Sequence, residues 1–500
     1  MTKLFLIALI FFGGIFLHAQ RYYPDSAHVM GYTRFWAATG EASGNRVTVR
    51  DSQGNIHAVY AYAIGAPYAD SSEIYYVFST NDGFTWSEPQ NISWTDSFTS
   101  YEPNLAIDSQ DRLHCVWKQY YEDTATSYLD VDVYYAQNDG SGWTTAINIS
   151  NQSYGANACY SSMVVDSQDH VHMVWDMDLG FSANWDIFYS YYNDTVWSEP
   201  YQVSNTPYDD AFPAMAIDSN DHLHMVWRQW STDGPIYYSF YDGISWSSSE
   251  IIASMTDGKS SYPCIVADSQ NLPRVIFGCA LPSDSGNIYY TAFDGVSWSA
   301  PLNLSNTINH SAYTSLSIDS LDQLYVVWSE KTPFPNQEIY YRTYNGTIWS
   351  GVMNLTQDTS LSWCPKLGNP VKGGAVDLVW VDSWAGTRSV MYMGLSLTGI
   401  AEDAPGYNPG ASLMLCIHPN PFCDRVAIEY ANEGSSQLKI SIYDAAGRLV
   451  RQWCCPDTER SGRILWLGDD ERGCIAAPGV YFVKLERGGH SVTKKIIKTK

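Results

Sequence analysis

Ile236-Tyr237-Tyr238-Ser239-Phe240-Tyr241-Asp242-Gly243-Ile244-Ser245-Trp246-Ser247 decides how this chain folds. Apolar and polar positions alternate up to Tyr241, the period of a half-buried strand. Asp242-Gly243 then marks a tight turn, because glycine takes the positive φ that such turns demand. Trp246 opens a second, shorter strand. The phrase returns five times: Ile74-Tyr75-Tyr76 leads to Asp82-Gly83 and Trp86, and Val133-Tyr134-Tyr135 to Asp139-Gly140 and Trp143. Ile187-Phe188-Tyr189 leads to Asn193-Asp194 and Trp197, Ile288-Tyr289-Tyr290 to Asp294-Gly295 and Trp298, and Ile339-Tyr340-Tyr341 to Asn345-Gly346 and Trp349.

Upstream of each phrase lies a strand ending in Asp-Ser (Val47 to Asp51, Leu105 to Asp108, Met163 to Asp166, Met215 to Asp218, Ile265 to Asp268, Leu316 to Asp319). A short turn and a second strand follow. The second strands close on Tyr60, Trp117, Trp175, Trp227, Phe277, Trp328 and Trp380, spaced by 57, 58, 52, 50, 51 and 52 residues. A period near 50 with four strands per unit marks an all-β propeller, whose blades bury their faces only by stacking on neighbours. The seventh unit has a third strand, Arg388 to Met393, but no Asp-Gly-x-x-Trp ending. A strand at Tyr32 to Ala38 is placed to fill that gap and cover an exposed edge. The expectation is a seven-bladed propeller over 20–398 closed by this strand; six blades with a stray seventh hairpin is the alternative.

Ser79-Thr80-Asn81-Asp82-Gly83-Phe84-Thr85-Trp86 resembles the Asp-box, or BNR repeat, of sialidase-like β-propellers, with Asn81 where the family has its first Asp. Asp242, Gly243 and Trp246, and Asp294, Gly295 and Trp298, keep the turn and the tryptophan. The resemblance implies a structural turn between third and fourth strands, on the face away from any binding site. It implies a fold and not a reaction.

The 500 residues carry a formal charge of −25 and 15% aromatics. That charge argues against a nucleic-acid partner, which calls for basic stripes. Residues 1–19 read as a secretory signal: Lys3, an apolar run from Leu4 to Leu17, then Ala19. No later stretch has the length of a membrane span, so export to the medium or the cell surface is expected. Residues 399–412, with Pro405, Gly406, Pro409 and Gly410, read as a linker. The five cysteines scattered through the repeats read as small buried residues.

Residues 413–500 resemble the type A sorting domain of the type IX secretion system. The match runs through His418-Pro419-Asn420-Pro421-Phe422, Asp444-Ala445-Ala446-Gly447-Arg448, Gly479-Val480-Tyr481 and Lys494-Lys495-Ile496. The resemblance implies a small Ig-like β-sandwich, an export address at the outer membrane, the secretion machinery as partner, and a source among the Bacteroidota or their relatives.

For ligand binding, the segments leading into each unit repeat an aromatic: Tyr101, Tyr160, Phe212, Tyr262 and Tyr313, with Trp363 a looser match. Such rings around a funnel suit stacking on sugars or peptides; packing between blades is the competing role. Trp230 joins them from the loops between second and third strands, which share that face. His57, His114, His172 and His224 recur at one strand position, but equivalent strands of different blades lie too far apart to share an ion, so no metal and no cofactor is expected. The Asp-Ser-x-Asp turns read as turn chemistry rather than calcium sites. Asn91, Asn148, Asn303 and Asn354 read as repeat residues. Sialidases imply a tyrosine nucleophile and an arginine triad, yet the Phe/Tyr-Arg-Ile-Pro motif is missing and Arg50 alone lies on a clear first strand. The reading is a non-catalytic binder of extracellular glycan or protein. A sialidase-like glycoside hydrolase and a structural or adhesion surface protein are the alternatives.

Overall fold

The computed structural model describes residues 27–33, 39, 46–64, 71–83, 85–94, 99–123, 128–150, 157–180, 184–231, 234–255, 259–280, 286–331, 337–356, 361–368, 375–384, 387–396, 413–418, 425–432, 438–444, 447–455, 461–473, 475–487 and 490–499. The signal-like segment 1–19, the linker 399–412 and the motif residues Pro419, Asn420 and Pro421 lie outside them. Two compact units divide the chain, Met1–Thr398 and Gly399–Lys500.

In the first unit five antiparallel sheets have four strands each in chain order, and an eight-stranded sheet joins a sixth and a seventh group of four through one parallel pair, Gln337 with Leu361. The first group is Thr48–Arg50, Ile56–Ile64, Ser71–Ser79 and Gln90–Asn91; the second is Thr99–Ile107, Leu113–Asp123, Tyr128–Asn138 and Ile147–Asn148. The third is Ala158–Val165, Val171–Met177, Asp186–Tyr192 and Tyr201–Gln202; the fourth is Asp210–Ile217, Leu223–Gln229, Ile236–Tyr241 and Glu250–Ala253. Lys259–Ala267, Pro273–Ala280, Gly286–Ala292 and Leu302–Asn303 form the fifth, and Ser311–Ile318, Leu324–Lys331, Gln337–Tyr344 and Met353–Asn354 the sixth. Leu361–Leu367, Ala375–Trp384 and Thr387–Ser396 start a seventh group, whose outer strand is Ala27–Thr33. That strand begins five residues before the Tyr32 to Ala38 expected from the sequence, pairing Val29 with Met391 and Thr33 with Arg388. Residues 34–38 lie outside the described set.

The second strands carry the core. Every residue of Val171–Met177 and of Leu223–Gln229 is buried. These strands are covered on both faces, so burial runs through every position instead of alternating, and polar residues such as His172 and His224 are buried with the apolar ones. Trp117, Trp175, Trp227, Trp328 and Trp380 are fully buried, as are Tyr60 and Phe277.

Three devices hold neighbouring sheets together, the first at six junctions, the second at five and the third at two. The tryptophan after each third-strand turn meets, edge-on, a third-strand tyrosine of the preceding sheet: Trp143 on Tyr76, Trp197 on Tyr135, Trp246 on Tyr189, Trp298 on Tyr238 and Trp349 on Tyr290, with centroids 5.1–5.4 Å apart. Trp86 meets Tyr392 of the seventh group in the same way at 5.3 Å, joining last to first. Edge-to-face pairs contribute about 0.5–1.5 kcal/mol each beyond their area.

The second device is the Asp-Ser turn. Asp111 accepts the amide and hydroxyl of Ser52 from the preceding sheet, at 2.8 and 2.6 Å. Asp169 does this for Ser109, Asp221 for Ser167, Asn271 for Ser219 and Asp322 for Ser269. Each acceptor sits at a left-handed φ of 61–68°, which Asp and Asn tolerate best. The second carboxyl of the Asp-Ser-x-Asp pattern therefore reaches a neighbouring sheet; the first folds back on its own turn.

The third device is ionic. Arg112 pairs with Asp194 of the next sheet at 2.9 Å, and Arg50 bridges the first and seventh groups through Asp377.

The second unit has two sheets. One orders Leu413–His418, Val426–Asn432 and Ser461–Trp466; the other orders Leu449–Cys455, Leu438–Asp444, Gly479–Arg487 and His490–Lys498. Val426, Ile428 and Trp466 of the first share one core with Ile440, Ile442, Val483 and Leu485 of the second. Asp444 ends its strand in a turn: its carboxylate accepts from the Arg448 amide at 2.9 Å and its guanidinium at 2.7 Å, and Gly447 takes φ 76°. Tyr481 packs edge-on against Trp466 at 5.3 Å.

Candidate ligand-binding face

The first strands of the second to seventh groups carry a β-bulge where the aromatics were expected, with register breaks between Tyr101 and Asn104, Ala158 and Ser161, Ala211 and Ala214, Ser261 and Cys264, Ala312 and Ser315, and Trp363 and Lys366. Bulges re-aim side chains. Phe212, Tyr262 and Tyr313 occupy the left-handed bulge position, with φ 57°, 48° and 53°. The six aromatics are therefore not equivalent. Tyr101 and Trp363 lie one residue earlier, and Glu102 (φ 56°) and Cys364 (φ 50°) hold the bulge position in their sheets.

The rings still meet. Tyr160 contacts Phe212 (centroids 4.3 Å apart), Phe212 contacts Tyr262 (4.7 Å) and Tyr262 contacts Tyr313 (5.9 Å). Tyr101 and Tyr313 pack on the cluster that buries Trp363. The arc is mostly interior: Phe212 and Trp363 are buried, the four tyrosines half-buried. Trp230 stands above it, 50% exposed and 6.3 Å from Phe212.

Under the rings lie charged residues that the sequence reading did not single out together. Lys118 Nζ sits 4.4 Å from the Tyr101 ring centre and 4.1 Å from that of Tyr160. Burial alone would lower its ammonium, but Glu102 above all, with Asp176 contributing, keeps it charged. Asp176 is buried and accepts the amides of Tyr160 and Phe212, both at 2.9 Å. Burial pushes its carboxyl up to about 7, against the pull of those amides and Lys118. The Arg228 guanidinium lies 4.0 Å over the Trp230 ring.

Lys118, Asp176 and Arg228 each follow the closing aromatic of a second strand. The other units have Ala61, Gly278, Ser329 and Val381 there. That break in the repeat was the available signal.

The turns that resemble Asp-boxes occupy the opposite ends of the strands. Asp242 accepts the amides of Ile244 and Ser245, Asp294 those of Val296 and Ser297, and Gly243 and Gly295 take φ 90° and 94°. Asp82 takes φ 55° beside Gly83 at 82°, and Trp86 packs on Tyr392. Arg50 belongs to that turn face, and Arg274 there is held by Asp268. The four histidines stay within their own sheets: each Nδ1 lies 2.7–2.8 Å from a tyrosine hydroxyl, of Tyr76, Tyr135, Tyr189 and Tyr238 in turn. Each Nε2 faces the Asp of its own turn. Among the described residues no group of three or more His, Cys, Asp or Glu is placed to hold a metal ion. Asn91 and Asn354 accept amides of their own turns. Cys115, Cys159, Cys264, Cys279 and Cys364 are free thiols, and Cys159 alone of the five is not buried.

No family model matches the chain. No curated protein sequence matches it either. Among solved structures it is similar to a polysaccharide lyase, a family PL25 ulvan lyase bound to -[GlcA(1-4)Rha3S]-, with TM-score 0.52 and 9% identity over 75% of this chain and 100% of that one. It is also similar to PorZ, an essential bacterial surface component of the type IX secretion system of Porphyromonas gingivalis (TM-score 0.44, 13% identity, 93% of this chain and 60% of that one). A third likeness is to the Hadza microbial sialidase Hz136 (TM-score 0.41, 12% identity, 75% of this chain and 67% of that one). At such identity the first likeness speaks for the fold alone, and the other two are likenesses only. The class that sheets and likeness define is an all-β protein of the β-propeller type. Among the described residues no helix is long and apolar enough to cross a membrane.

Proposed function

We propose that this protein is a secreted or surface-held propeller that binds an extracellular carbohydrate over the aromatic arc, without catalysing its cleavage. Supporting this is one observation: Trp230 is half exposed beside a run of touching rings, on the face that carries no Asp-box turn. Flat exposed indole and phenol faces are the usual platforms for sugar rings, since they match apolar C–H patches while hydroxyls stay hydrated. A protein ligand is the competing partner, and its capture in place of glycan would reassign the site.

In this reading the groups of four strands form seven blades around an axis, with Ala27–Thr33 as the closing strand; the Trp86–Tyr392 contact between first and seventh groups supports it. The second unit serves as an Ig-like sorting domain recognised by the type IX machinery. Its support is the Asp444–Arg448 turn at the expected place and the two-sheet core.

The test is a glycan array followed by calorimetry. Trp230→Ala and Tyr262→Ala should each weaken the best glycan by about two- to tenfold, the loss expected when stacking worth about 0.5–1.5 kcal/mol is removed. Unchanged affinity in both variants would discard the site. Fusing residues 399–500 to a reporter should export it from a type IX-competent host and not from one lacking the machinery.

A further inference from the structure

Three consecutive sheets break the repeat at one position, putting Lys118, Asp176 and Arg228 where the others have small or apolar residues. Two of the three charges are answered within the protein. Lys118 faces Glu102 and lies between two rings, and Asp176 takes two backbone amides. Arg228 is different. It is 6% exposed, and no carboxylate lies within ion-pair distance of it among the described residues. Its Nε is buried without an acceptor. Its neighbours are rings and a thiol: Trp230 at 4.0 Å, with Tyr262 and Cys279 nearby.

A guanidinium does not escape burial by losing its proton. A buried charge with neither partner nor hydrogen bonds is costly, and proteins retain one where something else completes it. Its planar fork matches the paired oxygens of a carboxylate or a sulfate, both of which it holds bidentately. Trp230 lies over it and is half exposed, so a sugar stacked there would bring a ring substituent within reach of the fork.

From this we infer that the ligand of the aromatic face is an anionic polysaccharide, whose uronate carboxylate or sulfate ester is taken by Arg228 while a sugar ring stacks on Trp230. This rests on the carbohydrate-binding reading above.

The experiment uses the full chain and three probes of similar length: an oligogalacturonate, a sulfated galactan oligosaccharide and a neutral galacto-oligosaccharide. Binding is measured by calorimetry at 50 and 500 mM salt, and melting temperature without ligand. The expected result is that one anionic probe binds at least about tenfold more tightly than the neutral one, and that only its binding weakens with salt. Which anionic probe wins identifies carboxylate or sulfate. Arg228→Met should lose that preference by about 10- to 100-fold, the range for a hydrogen bond to a charged group, while binding the neutral probe within about twofold. Without ligand it should melt no lower than the parent, because the lost charge had no partner. Arg228→Lys keeps the charge without the fork and should fall between; it also serves if the methionine variant does not fold.

Equal binding of all three probes, lost in Trp230→Ala, would overturn the anion inference and leave the stacking platform standing. A methionine variant that melts lower yet keeps its anion preference would make Arg228 structural and overturn it too. No binding of any probe by the parent would defeat both readings.

Discussion

Arg50 clasps the first group of strands to the seventh, and its removal has a calculable consequence. Its Nε and one terminal nitrogen each lie 2.8 Å from a different oxygen of Asp377, and its other nitrogen lies 2.8 Å from Asp82 and 3.1 Å from the Gly54 carbonyl. Tyr392 adds a hydroxyl bond to Asp377 at 2.6 Å. The Asp377 side chain is 1% exposed, that of Arg50 12%. Arg50→Met therefore strands a buried carboxylate, which costs about 3–5 kcal/mol. Unfolding entropy of about 2.1 cal/mol/K per residue over roughly 370 residues makes about 0.8 kcal/mol/K, so melting should fall by about 4–6 °C. Differential scanning calorimetry of the full chain at pH 7 reads this directly. Arg50→Met with Asp377→Asn removes the stranded charge and leaves Tyr392 a hydrogen-bond acceptor, so it should recover more than half of the loss. A single variant within about 1 °C of the parent, or a double variant that falls by the sum of both singles, would refute the clasp.

Two further outcomes follow from the same geometry. Burial raises Asp176 to about 7, well above the 3.9 or so of an unfolded aspartate; a raised folded value means stability present below pH 4 and lost as pH climbs to 7. Asp176→Asn should start below the parent near pH 4, because its amide nitrogen cannot accept the second of the two backbone amides, and the difference should move steadily in the variant's favour up to pH 7 and stay constant beyond; a difference independent of pH would contradict the assignment. Gly83→Ala and Gly243→Ala both place a Cβ at left-handed φ, but at Gly83 it would overlap the Tyr392 ring, whereas at Gly243 it meets open space. The second should cost about 1 kcal/mol of strain and the first several times that by chemical denaturation; equal costs would mean that the first sheet does not pack on the seventh as described.

Much of the fold was legible because the repeat is spelled in residues whose geometry is narrow. Asp-Gly fixes a turn, Trp fixes a packing site, and six copies fix the period. The strand at Ala27–Thr33 was placed five residues late, since an outer strand with few core contacts leaves a weak pattern. The interlocking of Asp111 with Ser52 was invisible for another reason: Asp and Ser are good turn residues in isolation, and nothing local says that the second carboxyl reaches the neighbouring sheet. The aromatics were found by type and spacing, yet Tyr101, Tyr160 and Trp363 were out of register with Phe212, Tyr262 and Tyr313. A bulge adds one residue without changing composition, so counting along the chain cannot reveal which side of it a ring falls on.

The same limit explains why the charges were missed, and it bears on where a ligand would sit. A repeat is read by what stays constant, and Lys118, Asp176 and Arg228 are what does not. Sheets of equal build around an axis give a ligand no reason to prefer one side. Side chains that vary at a single repeated position supply that reason, and here they fall on three consecutive sheets, with Trp230 on the last. Lys118 and Asp176 spend their charge on Glu102 and on the amides that hold the bulges of Tyr160 and Phe212, so they fix the shape of the floor. Arg228 spends its charge on no carboxylate among the described residues, and it sits where that floor meets the exposed indole. Shape and unanswered charge thus coincide on one side of the axis, so the proposed ligand would centre off-axis toward Trp230.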